Sequence, residues 1–324
     1  MTRALDDLIR SADIDGLVRH VDDACSARDW EHVLRIRNEA RAAVKTGRQL
    51  WPIATLANYR LALWAPADLA VRALDDTART FMPGPVSEIL AVHHTWDQLE
   101  AYLPVDHDRS LAAYERALRH DVIPPSEHRA LEIPFAVAEW EPEYVTASYN
   151  DDGVVDDMPP LSARWHSVDT RESDPLDDDS IHGFTRMMEP WTAHSNGSAR
   201  AVVVEGELED ALGALELLHP QFSELTPRAA LQWLTWAASS GGAHGKRRGV
   251  ATGRSEALWL LATFTGLDDT WPRSFTELGD VITNQLEFFA FTADKHSAQG
   301  WWLQLAVVDP DEGLTAAFIA RDSL

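Results

Sequence analysis

The densest run of chemistry-bearing residues is Ser239–Arg254, which reads Ser-Ser-Gly-Gly-Ala-His-Gly-Lys-Arg-Arg-Gly-Val-Ala-Thr-Gly-Arg. Lys246, Arg247, Arg248 and Arg254 are four of the eight basic residues after residue 200, and no acid lies among them. Glycine lets a backbone approach a ligand closely, and the N–H groups at a helix start favour an anion. The segment therefore predicts a phosphate or carboxylate site, with His244 as the nearby titratable group. On a helix, Lys246, Arg247 and Arg248 would step about 100° apart, so Arg247 and Arg254, seven apart, make the better pair. The segment is not a Walker phosphate loop. Gly241 to Gly245 is one residue short, Arg247 follows Lys246 where Ser or Thr is needed, and a helix precedes it. The competing reading is packing. Gly245, Gly249 and Gly253 recur every fourth residue, which would let another element pack closely while the arginines pair with internal acids.

Other candidates are weaker. Thirteen tryptophans stand against ten Phe and five Tyr. Such rings can stack sugars, bases or cations, but Trp233, Trp236 and Trp259 sit among leucines at helical spacing, as core anchors do. Trp301-Trp302 points to both faces of one strand. His93 and His94 are adjacent and diverge on a helix, so they make a poor ligand pair. Neither a zinc-protease helix motif nor a second cysteine beside Cys25 is present, so spacing yields no metal site. Neither a nucleophile elbow nor a dinucleotide fingerprint occurs, so no cofactor is implied and enzymatic activity stays open.

Charge narrows the partner classes. The net charge is −24, and residues 1–80 are neutral, so the acidic excess lies beyond them. Such a field repels phosphates and anionic lipid, which disfavours nucleic acid and membrane surfaces. It suits a basic protein partner, or a fold that mimics nucleic acid. No apolar run reaches the roughly 20 residues of a membrane helix, and Met1–Asp7 lacks an apolar signal core, which predicts a cytoplasmic protein.

The elements that must position these residues read as α+β. Residues 1–130 predict an all-α layer of antiparallel, repeat-like helices. Asp29 caps one helix, Pro52 stands in the first turn of the next, Asp68 starts a short one and Ser87 caps another. Residues 131–180 read as an edge strand at Leu131–Val137, then an acidic linker with ten acids and two arginines over 151–180. Residues 181–324 read as an α+β domain. It has a strand at 201–204, helices at 206–217, 227–240 and 246–265, and a closing antiparallel meander at 286–292, 301–308 and 314–320.

Leu50-Trp51-Pro52, His94-Thr95-Trp96, Glu189-Pro190-Trp191-Thr192 and Ser240-Gly241-Gly242-Ala243-His244-Gly245 together resemble an uncharacterised family of hypothetical proteins from high-GC Gram-positive bacteria. The resemblance implies a bacterial cytoplasmic protein whose halves belong together, and it carries no catalytic or binding residue. The expectation is an interaction protein with a helical platform. The alternative is a binder of, or enzyme for, a small anionic ligand at 241–254.

Overall fold

A computed structural model describes residues 5–75, 81–292 and 300–323. The chain divides into two units, Met1–His128 with Ser148–Val155, and Arg129–Ala147 with Asp156–Leu324.

The first unit is helical. Its elements are α1 (Leu5–Ser11), α2 (Ile14–Ser26), α3 (Trp30–Lys45), α4 (Trp51–Trp64), α5 (Ala67–Ala70), α6 (Val86–His93), α7 (Trp96–Leu99) and α8 (His107–Ala117). Asp29 caps α3 by accepting from the His32 N–H, and Pro52 occupies the first turn of α4, where its missing N–H costs nothing. The cap of α6 is Pro85 rather than Ser87, which lies buried inside the helix. Helix α3 packs on α4, and Val33, Ile36 and Ala40 of the one and Ile53, Ala57 and Leu61 of the other are fully buried. A short hairpin, β1 (Ser148–Asn150) and β2 (Gly153–Val155), completes this unit. Tyr149 pins it by donating to Glu88 at 2.5 Å, in space that Gly84 leaves open. Tyr59 donates to the Asn150 and Gly153 carbonyls at 2.6 and 3.2 Å.

The second unit is built on an antiparallel sheet. Its strands are β3 (His166–Ser167), β4 (Ser198–Glu205), β5 (Gln221–Leu225), β6 (Glu287–Thr292), β7 (Trp301–Asp309) and β8 (Leu314–Asp322), in the order β3-β5-β6-β7-β8-β4. The predicted meander is therefore β6-β7-β8. Its register runs from Trp301 opposite Asp322 to Asp309 opposite Leu314. The Asp309 carboxylate closes the turn by accepting from the N–H groups of Asp311 and Glu312. The helices are α9 (Asp179–Met187), α10 (Glu189–Ala193), α11 (Leu208–Ala214), α12 (Pro227–Ser240), α13 (Val250–Phe264) and α14 (Phe275–Asn284). Because side chains alternate along a strand, Val202, Val204, Ala306 and Ala317 meet Leu208, Ala211 and Leu212 of α11 on one face. Phe318 and Trp301 turn to the other face. There Phe184 of α9 stacks on Phe318 at 4.8 Å, and Trp236 of α12 lies parallel to Trp301 at 5.1 Å.

Two expectations need correction. Leu131–Val137 forms no strand, because the carbonyls of Pro134, Phe135 and Ala136 accept from the Arg254 guanidinium instead of a neighbouring strand. The acidic stretch is not a uniformly solvated linker. Asp151 pairs with Arg60, Asp156 is buried against Arg247, and Asp178 caps α9.

Candidate functional site

The glycine-rich basic segment is a packed turn followed by a helix. Helix α12 ends at Ser240, and Gly241 takes the left-handed conformation (φ +80°) that closes it. A Cβ there would lie 2.4 Å from the Lys246 backbone. The following helix begins only at Val250, so Arg247 precedes it and does not share a helical face with Arg254. Of the three repeating glycines, only Gly253 lies in the helix. It fits against α12, where a Cβ would stand 2.4 Å from the Thr235 carbonyl oxygen.

The structure gives the guanidinium groups to internal acids. Arg247 is buried and pairs with the buried Asp156. Arg248 donates to Glu256 at 2.8 Å. Arg254 is 1% exposed and grips Glu141 with both arms of its fork, at 2.6 and 2.7 Å. The hydroxyl of Tyr144 donates to the same carboxylate at 2.7 Å. Burial, then the neighbouring charge of Glu141, pushes Tyr144 well above the usual phenol range. His244 and Lys246 remain on the surface. Arg247, Arg248 and Arg254 of the predicted anion contacts thus pair with internal acids, while His244 and Lys246 are exposed.

The first unit holds a cleft that spacing alone did not reveal. Its volume is about 1280 Å³, and its walls come from the α2–α3 turn, the end of α4, the α6–α7 junction and the β1–β2 turn. Arg60 spans it, with the guanidinium 4.6 Å from the Trp64 ring centroid and Nη1 2.7 Å from Asp151 Oδ1. The side chains of Asp22, Asp68 and Asp97 line the cleft and make no hydrogen bond or ion pair among the described residues. Trp30, Trp64 and Tyr102 supply aromatic surface. His93 and His94, set aside as a diverging pair, both line it, because α6 ends at His93 and the chain turns extended at His94. Cys25 is also here, but burial pushes its thiol up to about 11. A protonated thiol is a poor nucleophile, so the cleft shows no activated cysteine.

These groups make the first unit sensitive to acid. Burial is the main cause holding His20, His93 and His94 below the ordinary histidine value of 6.5. An unfolded chain then takes up protons first, so stability rises with pH across that window and is lost as pH falls below about 6.5. Asp121 and Glu127 are also held low, chiefly by hydrogen bonds from Arg116 and Arg109. Their contribution is present above the ordinary carboxylate range and is lost at still lower pH. Urea titrations between pH 7.5 and 5 are expected to show a steadily falling midpoint. A flat profile over that range would mean the three histidines are as accessible folded as unfolded.

Among the described residues no helix is long and apolar enough to cross a membrane, and no three His, Cys, Asp or Glu side chains converge as metal ligands. The architecture is α+β in two units, rich in tryptophan, of which Trp96, Trp191, Trp233 and Trp236 are buried, with a polar and aromatic cleft in the helical unit. The chain belongs to a family of unknown function (DUF6183), whose model matches residues 15–323. No curated protein and no solved structure matches it.

Proposed function

We propose that this is a bacterial cytoplasmic interaction protein whose first-unit cleft receives a basic segment of a protein partner. The observation that carries the reading is the trio Asp22, Asp68 and Asp97, unpaired among the described residues, facing one cleft beside Trp30, Trp64 and Tyr102. Four carboxylates, counting Asp151, stand against Arg28 and Arg60, so the lining is net negative. Lysine and arginine side chains match that charge and stack on indole faces. A net charge of −24 adds long-range attraction for a basic partner and repels nucleic acid and anionic lipid. Small-molecule sites usually hold roughly 300–1,000 Å³, and this open cleft of about 1280 Å³ has room for an extended peptide. Resemblance to hypothetical proteins of high-GC Gram-positive bacteria supports the bacterial setting.

The alternative, a small anion at 241–254, has less support, since Arg247, Arg248 and Arg254 are engaged by Asp156, Glu256 and Glu141. Calorimetric titration with lysine- and arginine-rich peptides separates the two readings. Binding is expected to weaken with salt, and Asp22→Asn with Asp97→Asn should weaken it about tenfold, on the order of 1.4 kcal/mol. Equal affinity in that double variant, or no binding of any basic peptide, would overturn the reading. A melting-temperature rise with phosphate that disappears in His244→Ala with Lys246→Ala would favour the anion site instead.

A further inference from the structure

We propose that His20 and His32 form a two-point site for a transition-metal dication, clipping α2 to α3. The two Nε2 atoms face each other at 3.0 Å across the hairpin, with ring centroids 5.0 Å apart and planes inclined by 66°. Imidazole nitrogens sit about 2.0–2.1 Å from zinc. At right-angled or tetrahedral coordination, two such ligands of one ion lie roughly 3 Å apart, the separation seen here, and rotation of the rings aims both lone pairs at one ion beside the N–N line. Without a metal, one ring donates its N–H to the other, and that shared proton is what a dication replaces.

The hairpin holds the pair in place. Ala27 and Asp29 N–H groups bond the Asp23 and Ala24 carbonyls, and the Asp29 side chain caps α3 at His32 itself. Both rings are half-buried, so neither must be gathered from solution to form the site. Asp23, whose charge acts on His20, favours a cation there. Neutral imidazole is the form that ligates, so a metal displaces the proton the two rings share. Two nitrogens with no third protein ligand among the described residues leave the remaining positions to water. Such a donor set suits Zn(II), Ni(II) or Cu(II), and it holds them exchangeably rather than as a closed structural centre. This inference is independent of the cleft.

The test uses the full chain with Cu(II) and Ni(II) salts as probes. Electron paramagnetic resonance of the Cu(II) form is expected to show two equatorial imidazole nitrogens. Ni(II) should raise the melting temperature of the wild type. His32→Gln, which keeps a polar group at the position, should reduce the nitrogen count to one and weaken Ni(II) by at least an order of magnitude. His20→Gln should do the same. The chain has thirteen histidines, so binding of equal affinity and nitrogen count in both variants would assign the metal elsewhere and overturn the proposal. Absence of any Cu(II) or Ni(II) binding by the wild type would overturn it equally.

Discussion

Arg254→Ala is expected to be among the most destabilising single substitutions, at about 3–5 kcal/mol, because it strands a buried carboxylate. The side chain of Glu141 has no exposed surface, and Arg254 satisfies both its oxygens at 2.6 and 2.7 Å. The same guanidinium also serves the Pro134 and Ala136 carbonyls at 2.8 and 3.2 Å. Its loss removes the donors that tie 134–141 to α13. Nine of the thirteen tryptophans lie in the second unit, so fluorescence during urea unfolding reports mainly on that unit. Arg254→Lys keeps the charge but not the fork, and should fall between alanine and wild type. Replacing Arg254 and Glu141 together by apolar residues should recover much of the loss, since no orphan charge then remains. A cost below about 1 kcal/mol for the alanine variant is what an exposed pair would show, and it would refute the burial described above.

Trp191→Ala is expected to cost about 3–5 kcal/mol, the usual range for emptying a large aromatic site. Trp191 is fully buried, and its Nε1 donates to the Ala237 carbonyl at 3.1 Å and to Ser240 Oγ at 3.2 Å. Its ring stands edge-on to Trp236 and Trp301, which stack on each other. Gly242 packs so closely that a Cβ would lie 3.2 Å from the indole ring. The cavity would therefore open between α10, α12 and β7, where rigid rings cannot collapse into it. Thermal unfolding and near-ultraviolet circular dichroism should both change, the latter because the tryptophan array loses its fixed geometry. Trp191→Phe should cost much less, keeping most of the volume and losing the hydrogen-bond donor, worth about 1 kcal/mol. Equal losses for Phe and Ala would point to the indole N–H rather than the packing.

What was legible in advance depends on the range of the cause. Helix and strand follow from neighbours a few residues apart, so the helical series, α12 at 227–240 and the β6-β7-β8 meander could be read from periodicity and turn residues. Asp29 as a cap and Pro52 in a first turn are equally local. Burial of Trp233 and Trp236 followed from their leucine-rich helical setting. The family assignment rests on residues 15–323. The misread strand at Leu131–Val137 marks the limit, because its apolar alternation is local while the partner of its carbonyls is Arg254.

Only the tertiary structure decided what the charged residues do. A basic run has the same spacing whether it faces a ligand or internal acids. Arg254 and Glu141 are 113 positions apart, and Arg247 and Asp156 are 91 apart. The cleft gathers residues from Asp22 to Asp151, and no spacing rule connects them. His20 and His32 meet because a helical hairpin turns between them. Local patterning sets the elements through backbone geometry and apolar period. The fate of each ionisable group is set by which long-range partner lies beside it once water has been excluded, because a buried charge is tolerated only when paired.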